Sequence, residues 1–347
     1  LVAVAREMGI EPKVGVRIRL STHGSGNWAM SGGEQSKFGL STSEILEAAN
    51  LLKAAGLASS LQLVHFHIGS QIPDILTIKS AVREASRFYA KLHKLGYQAQ
   101  YLDVGGGLAI DYIGTRSHSH SSMNYTLEEY ARDVVYNIKD ICDAEGVPHP
   151  TILSESGRAL VAHHSVLVVE VLGAVRGNRD QILEELPDTE HKLVTDLIEI
   201  YRTLGAGGLM GSWHDVIQIK QEAQKMFDVG LLDLPAKASI EVLRWGIAQR
   251  IRNELLTQQD DEGMLAMTDL DQELAVQHIC NFSVFQSLLD HWALGQLFPV
   301  VPLHHLNRCP ENRATLVDIT CDSDGKISKF VDVAGTLPAV PIHEWRE

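Results

Sequence analysis

His65 and His67 stand one residue apart in HFHIGSQ, where an apolar run gives way to a Gly-Ser loop. Residues two apart on a strand point to the same side, so both imidazoles would face one way. Neutral imidazoles so placed could bind zinc, or one could lie flat on an aromatic cofactor while Ser70 meets a phosphate. A pair of hydrogen-bonded core histidines is the third reading and weighs as much as the two functional ones together. Gly105, Gly106 and Gly107 follow YLDV. A run of glycines lets backbone N–H groups approach an anion without Cβ obstruction, and it equally suits a tight turn. SESGR brings Glu155, Gly157 and Arg158 together. A carboxylate can keep a ring nitrogen protonated and a guanidinium can fork onto a phosphate, or the two can simply pair with each other. TCDSDG sets Cys321 among acidic residues. A thiol among carboxylates suits a proton donor better than a nucleophile, while DSDG is also good turn chemistry.

Each motif is ambiguous singly, and their joint arrangement is less so. They offer imidazole and hydroxyl, glycine amides, carboxylate and guanidinium, which is the set that a phosphate-bearing pyridine ring requires.

The elements that must position these groups alternate in type. Residues 1–9 read as a helix stopped by Gly9, followed by the β-rich VGVRIRL at 14–20. The Gly- and Ser-rich stretch at 21–36, including GSGNW at 24–28 and SGGE at 31–34, reads as loop. A helix over 43–57 is capped by Ser43, with Glu44 in its first turn. LQLVHFHI at 61–68 is the next strand; helices at about 77–95 and 126–145 then precede strands at YLDVGGG (101–107) and TILSESG (151–157). Such alternation implies parallel strands with right-handed crossovers, whose polar, Gly-rich carboxyl ends line one edge. The expected fold is α/β: residues 1–162 form the C-terminal half of a (β/α)8 TIM barrel, since four strands cannot close one, with an open doubly wound sheet as the alternative. Residues 163–347 are expected to form a β-rich domain, with VLVVEVLGAV at 166–175 and later strands at 314–320 and 326–333. A helical insertion at about 178–262 interrupts it.

A chain of 347 residues, 45% of them hydrophobic, can bury a sizeable core. The net charge of −14, unbroken by any basic run, repels phosphate backbones and argues against nucleic acid as a partner. The four cysteines, Cys142, Cys280, Cys309 and Cys321, have neither metal-type spacing nor disulfide density, so reduced thiols in a cytoplasm are expected. LVAVAREMGI resembles neither a signal peptide nor a membrane span, and lacks an initiator Met, which hints at a fragment.

VGVRIRL, SGGEQSKFGL, LVHFHIGSQI, LDVGGGLAIDYIGTRS, SESGRALVAHH, NFSVFQSLLDHWALGQLFPVVPL and VDITCDSDGKI, in this order, resemble the alanine-racemase-type, fold III pyridoxal-phosphate decarboxylases. HIGSQ, GGG and ExGR are shared by members acting on ornithine and diaminopimelate, whereas GTRS, NFSVFQS and CDSDG are similar to the arginine-specific branch. The resemblance implies that His67 stacks on the cofactor ring, that Ser70, Gly107 and Arg158 hold its phosphate, and that Glu155 pairs with its nitrogen. Arg17, Gly105, Gly106 and Gly157 would belong to the same cofactor site, and Asp111, Tyr112, Asp322 and Asp324 to the substrate, a basic amino acid. Cys321 would reach a neighbouring subunit's site in a homodimer or dimer of dimers and return a proton after CO₂ leaves. The resemblance also implies a Mg²⁺ requirement, with no site identified.

One departure concerns the family's cofactor-bearing lysine, expected upstream of Leu1; Lys13 and Lys37 stand in the wrong places to replace it. These residues alone are therefore expected neither to close a barrel nor to catalyse. A non-catalytic, decarboxylase-like regulator is the alternative from another class, and a zinc-dependent barrel hydrolase built on His65 and His67 is the third.

Overall fold

In the computed structural model, which describes residues 1–22, 36–176, 191–205, 208–258, 261–310, 312–332, 335–343 and 345, the chain divides into two units at Leu167/Val168. GSGNW and SGGE lie outside the described residues, as does the start of the expected helical insertion.

In the first unit, α1 (Val2–Met8) stops where Gly9 turns left-handed at φ 65°. Four strands follow: β1 (Val14–Arg17), β2 (Leu61–His65), β3 (Tyr101–Asp103) and β4 (Thr151–Leu153). They form one parallel sheet in the order β1-β2-β3-β4. The crossovers are α2 (Thr42–Ala54), α3 (Ile75–Lys94) and α4 (Leu127–Glu145), with the short α5 (Gly157–Val161) after β4. This is the partial β/α barrel wall read from the sequence, and closure of the barrel is not seen among the described residues.

Local chemistry explains these boundaries. Ser41, not Ser43, caps α2: Glu44 N–H donates to the Ser41 hydroxyl while the Glu44 carboxylate accepts from Ser41 N–H. Ser43 falls within the first turn, where its hydroxyl contacts that of Ser41 at 3.1 Å. Thr126 and Glu129 repeat the same capping box on α4, and Gly146 ends that helix at φ 63°. Helices α3 and α4 turn Ile78, Val82, Ala85 and Tyr89, and Tyr130, Val134 and Ile138, onto the core shared with Val64, Phe66 and Leu102.

The strands are shorter than expected. β2 ends at His65, so His67 sits on the loop that follows rather than on the strand. Beyond β2 one more ladder bond is made, Phe66 N–H to Asp103 O, before Gly69 at φ 130° and Gln71 at φ 54° turn the chain out of extended geometry.

The second unit opens with β5 (Val171–Val175); residues 166–170 of the expected strand are not in the sheet. Helices α6 (Lys192–Thr203), α7 (Leu209–Asp228), α8 (Leu234–Gln258) and α9 (Asp261–Leu274) follow. The helical segment thus runs past the expected end at 262, because Leu270 completes its apolar core. In α8, Ile240, Leu243, Ile247 and Ile251 recur at intervals of three and four and are buried, which gives the bundle its seam.

The chain then returns to β structure through β6 (Val276–Cys280), α10 (Val284–Ser287), α11 (Leu289–Leu294) and β7 (Asn312–Val317). The strands β8 (Lys326–Ile327), β9 (Phe330–Asp332), β10 (Gly335–Leu337) and β11 (Val340–Ile342) complete it. A five-stranded mixed sheet has the order β11-β7-β6-β5 with β8 also on β7, and β9 pairs with β10. No helix among the described residues is long and apolar enough to cross a membrane.

Candidate cofactor site

Parallel register brings Arg17 opposite His65, His65 opposite Asp103, and Asp103 opposite Leu153. The residues just beyond this row are therefore neighbours: Phe66 N–H donates to Asp103 O, and Glu155 N–H donates to Gly105 O at 2.8 Å. His67, the glycine run and Glu155 meet at the carboxyl edge of the sheet, as the sequence suggested.

The glycines are required by close approach. Gly105 has φ 65°, and a Cβ there would lie 2.2 Å from the Phe66 carbonyl oxygen. A Cβ on Gly106 would press on the His67 ring at 3.3 Å and on Glu155 O at 3.2 Å, and Gly107 has φ 112° with Ile72 Cγ1 at 3.0 Å from its would-be Cβ. Gly106 N–H donates to His67 Nδ1 at 3.3 Å, which leaves the proton of a neutral ring on Nε2. Burial, then the nearby Arg17, push His67 below its ordinary pKa, favouring that neutral form. Arg17 lies 5.0 Å from the Phe38 ring centroid.

A second cluster forms an anion cup. The Arg158 guanidinium donates from Nη1 to Tyr112 Oη at 2.8 Å and from Nη2 to Ser70 Oγ at 3.3 Å. Its Nε is buried without a hydrogen-bond partner. Gly157 stands apart from this set: its N–H donates to Glu155 O, and a Cβ on it would meet nothing within 4 Å.

The expected substrate residues have hydrogen-bond partners of their own. Asp111 is committed within its own loop, accepting from Ser122 Oγ at 2.7 Å and Arg116 N–H at 3.0 Å. Tyr112 joins the anion cup. Cys321 is exposed in the turn between β7 and β8, where the Asp322 carboxylate accepts from Asp324 N–H at 3.0 Å. Buried Asp318 holds that turn by accepting from Thr320 and from Val284 N–H.

Two contributors escaped the sequence reading. Asp103, buried behind the tips, lies 2.9 Å from His65 Nδ1 and accepts Gly105 N–H at 2.9 Å. Gln71, also buried, clasps the loop after the glycines: its amide donates to Ile110 O at 2.7 Å and accepts from Ile110 N–H at 3.0 Å. A carboxylate inside LDVGG reads as a strand end, and a left-handed Gln after Gly-Ser gives no pattern to recognise.

Residues 1–162 match the family described as pyridoxal-dependent decarboxylase, pyridoxal binding domain. Over that stretch the chain is similar to the pyridoxal-dependent decarboxylases. Residues 187–266 match the arginine decarboxylase helical bundle domain. The biosynthetic arginine decarboxylase of Bacteroides thetaiotaomicron is 44% identical over 99% of this chain and 54% of its own length. That of Deinococcus radiodurans is 46% identical over 98% of this chain and 52% of its own length. The chain spans about half the length of the curated relatives it matches. Among solved structures, the biosynthetic arginine decarboxylase of Campylobacter jejuni covers 99% of this chain and is itself covered over 53%, with TM-score 0.78 and 32% identity. Diaminopimelate decarboxylase of Helicobacter pylori has the same fold, covering 98% of this chain and covered over 56%, with TM-score 0.54 at 16% identity.

The residues present fit the cofactor that names these decarboxylases. A cradle that Cβ atoms would fill, a neutral imidazole beside it, and a guanidinium with an unused buried Nε suit a flat, phosphate-bearing ring. With His67 Nδ1 accepting Gly106 N–H, a neutral His67 keeps its proton on Nε2 and offers no lone pair to a zinc ion shared with His65. The one cluster of three potential metal ligands among the described residues is His65, Asp103 and Glu155, with ligand atoms within 4.8 Å of one another. Magnesium prefers an all-oxygen shell, which a set containing histidine does not provide.

Proposed function

We propose that the protein decarboxylates L-arginine to agmatine and CO₂ with pyridoxal 5′-phosphate as cofactor, in polyamine biosynthesis leading to putrescine and spermidine. The observation that carries this is the meeting of His67, the glycine run and Glu155 on one sheet edge beside the Ser70–Arg158 anion cup. Identity of 44% to a biosynthetic arginine decarboxylase favours arginine among basic substrates.

Pyridoxal phosphate, when bound, supplies an electron sink for the carbon that loses CO₂. His67, kept neutral by burial and by Arg17, offers its ring face to the cofactor ring without adding a charge that would oppose the protonated nitrogen. Glu155 holds the proton at that nitrogen. Arg158 and Ser70 bind the phosphate, with the glycine backbone beside them, and so fix which way the ring faces. None of β1–β4 carries a lysine, so the lysine that would bear the cofactor lies outside these four strands. Asp322 or Asp324 attracts the cationic head of arginine, and Cys321, from a second copy of the chain, delivers a proton to the substrate carbon. A homodimer or dimer of dimers, working in the cytoplasm, follows from that sharing.

The test is CO₂ release by the full-length protein from arginine, ornithine and lysine, with and without added pyridoxal phosphate. Release from arginine that depends on the cofactor is expected. Faster turnover of ornithine or lysine would remove the substrate assignment while leaving the reaction class standing, and no release from any of them would favour the regulatory alternative.

A further inference from the structure

The mechanism above uses neither His65 nor Asp103, yet the two lie at the centre of the site. They are paired across β2 and β3 in register. Asp103 Oδ2 lies 2.9 Å from His65 Nδ1, and Oδ1 of the same carboxylate accepts Gly105 N–H at 2.9 Å. Oδ1 is thus matched by a hydrogen bond, while His65 Nδ1 lies close to Oδ2 as an ion-pair contact without an aligned hydrogen bond.

What Asp103 holds is the peptide from which both cofactor-facing groups hang. Gly105 O accepts Glu155 N–H at 2.8 Å, so the backbone of Glu155 is tied to the residue that Asp103 grips. The next residue, Gly106, donates its N–H to His67 Nδ1 at 3.3 Å, so the plane of the His67 ring is tied to the same turn. The turn cannot drift toward β2, because Gly105 already sits against Phe66 O. One carboxylate thus governs the aim of an imidazole on one side and a carboxylate on the other.

Resting on the cofactor reading, we propose that Asp103, with His65 beside it, is a positioning residue that aims His67 and Glu155 together at the cofactor ring, while Ser70 and Arg158 hold the phosphate independently. Neither Asp103 nor His65 touches the ring's reacting atoms in this role.

The full-length protein tests this through three readouts: induced circular dichroism of bound pyridoxal phosphate, affinity for that cofactor, and affinity for inorganic phosphate as a competitor. His65→Ala removes the ion-pair contact to Oδ2 and is expected to change the induced ellipticity and to weaken cofactor binding by up to about fivefold, with inorganic phosphate binding unchanged. Asp103→Asn keeps an oxygen for Gly105 N–H and is expected to fall between His65→Ala and wild type. Unchanged ellipticity and affinity in both variants overturn the proposal. Equal losses for cofactor and inorganic phosphate also overturn it, since they mean a loosened site rather than two misdirected side chains. If His65→Ala fails to fold, Asp103→Asn decides on the same criteria. A wild-type protein that binds no pyridoxal phosphate removes the cofactor reading itself, and that result appears before any substitution is made.

Discussion

Replacing Arg158 with Ala removes the guanidinium that already spans Ser70 Oγ and Tyr112 Oη. The same two nitrogens can turn from those hydroxyls onto phosphate oxygens, and Nε has no other partner. A hydrogen bond to a charged group contributes about 1.5–3 kcal/mol. Because Arg158 is only half-buried, the lower end applies to each of two bonds. The sum, about 3 kcal/mol, corresponds to roughly two orders of magnitude in the cofactor's Kd. Arg158→Lys keeps a point charge but not the planar fork, and should recover about half of that free energy. The assay is a spectroscopic titration of the full-length apoprotein with pyridoxal phosphate and, separately, with pyridoxal. The phosphate-bearing ligand should lose affinity in both variants while pyridoxal does not. An equal loss for both ligands would refute the reasoning, because it would place Arg158 at the ring rather than at the phosphate.

The remaining predictions concern other parts of the chain. Gly105→Ala must place a side chain at φ 65° and 2.2 Å from Phe66 O, so it should destabilise the protein by on the order of 3 kcal/mol in urea unfolding. Gly157→Ala, with nothing within 4 Å of its new Cβ, should stay within about 0.5 kcal/mol, and similar effects for the two would contradict the close-approach argument. The Glu145 carboxyl is held down at about 2 by Lys94, Lys91 and Arg87. A carboxyl lowered on folding stabilises above its ordinary value near 4.5 and loses that contribution as pH falls to about 2. Glu145→Gln should therefore flatten the stability profile across that window and leave its shape near neutrality unaltered. Cys321→Ala removes an exposed thiol, so unfolding should shift by no more than about 0.5 kcal/mol, while turnover of arginine falls; unchanged turnover and products would end its role as proton donor.

The parts of the site legible in the sequence were those on strand ends. Parallel strands joined by helices must align their carboxyl tips, so HFHIGSQ, GGG and SESGR could be placed on one edge before any coordinate was known. What stayed hidden depends on backbone conformation beyond the ladder. The exit of the chain at His65 put His67 on a loop, and the left-handed Gln71 folds its amide back onto Ile110. Asp103 was missed because a buried carboxylate between Leu102 and Val104 carries no periodicity of its own. The hydrogen bonds of Asp111 to Arg116 and Ser122 also stayed hidden, because they are closed by a loop whose shape the local sequence does not specify. In the second unit the helical segment was visible, but its extension through Leu270 was not, because nothing local marks where the last helix, α9, gives way to β6.

The most direct measurement is a difference electron-density map of the full-length protein crystallised with pyridoxal phosphate. Ring density beside His67 and Glu155, with phosphate density on Ser70 and Arg158, is the predicted result. Cofactor density elsewhere in the molecule, or a ring turned so that its phosphate lies away from Arg158, would contradict the account.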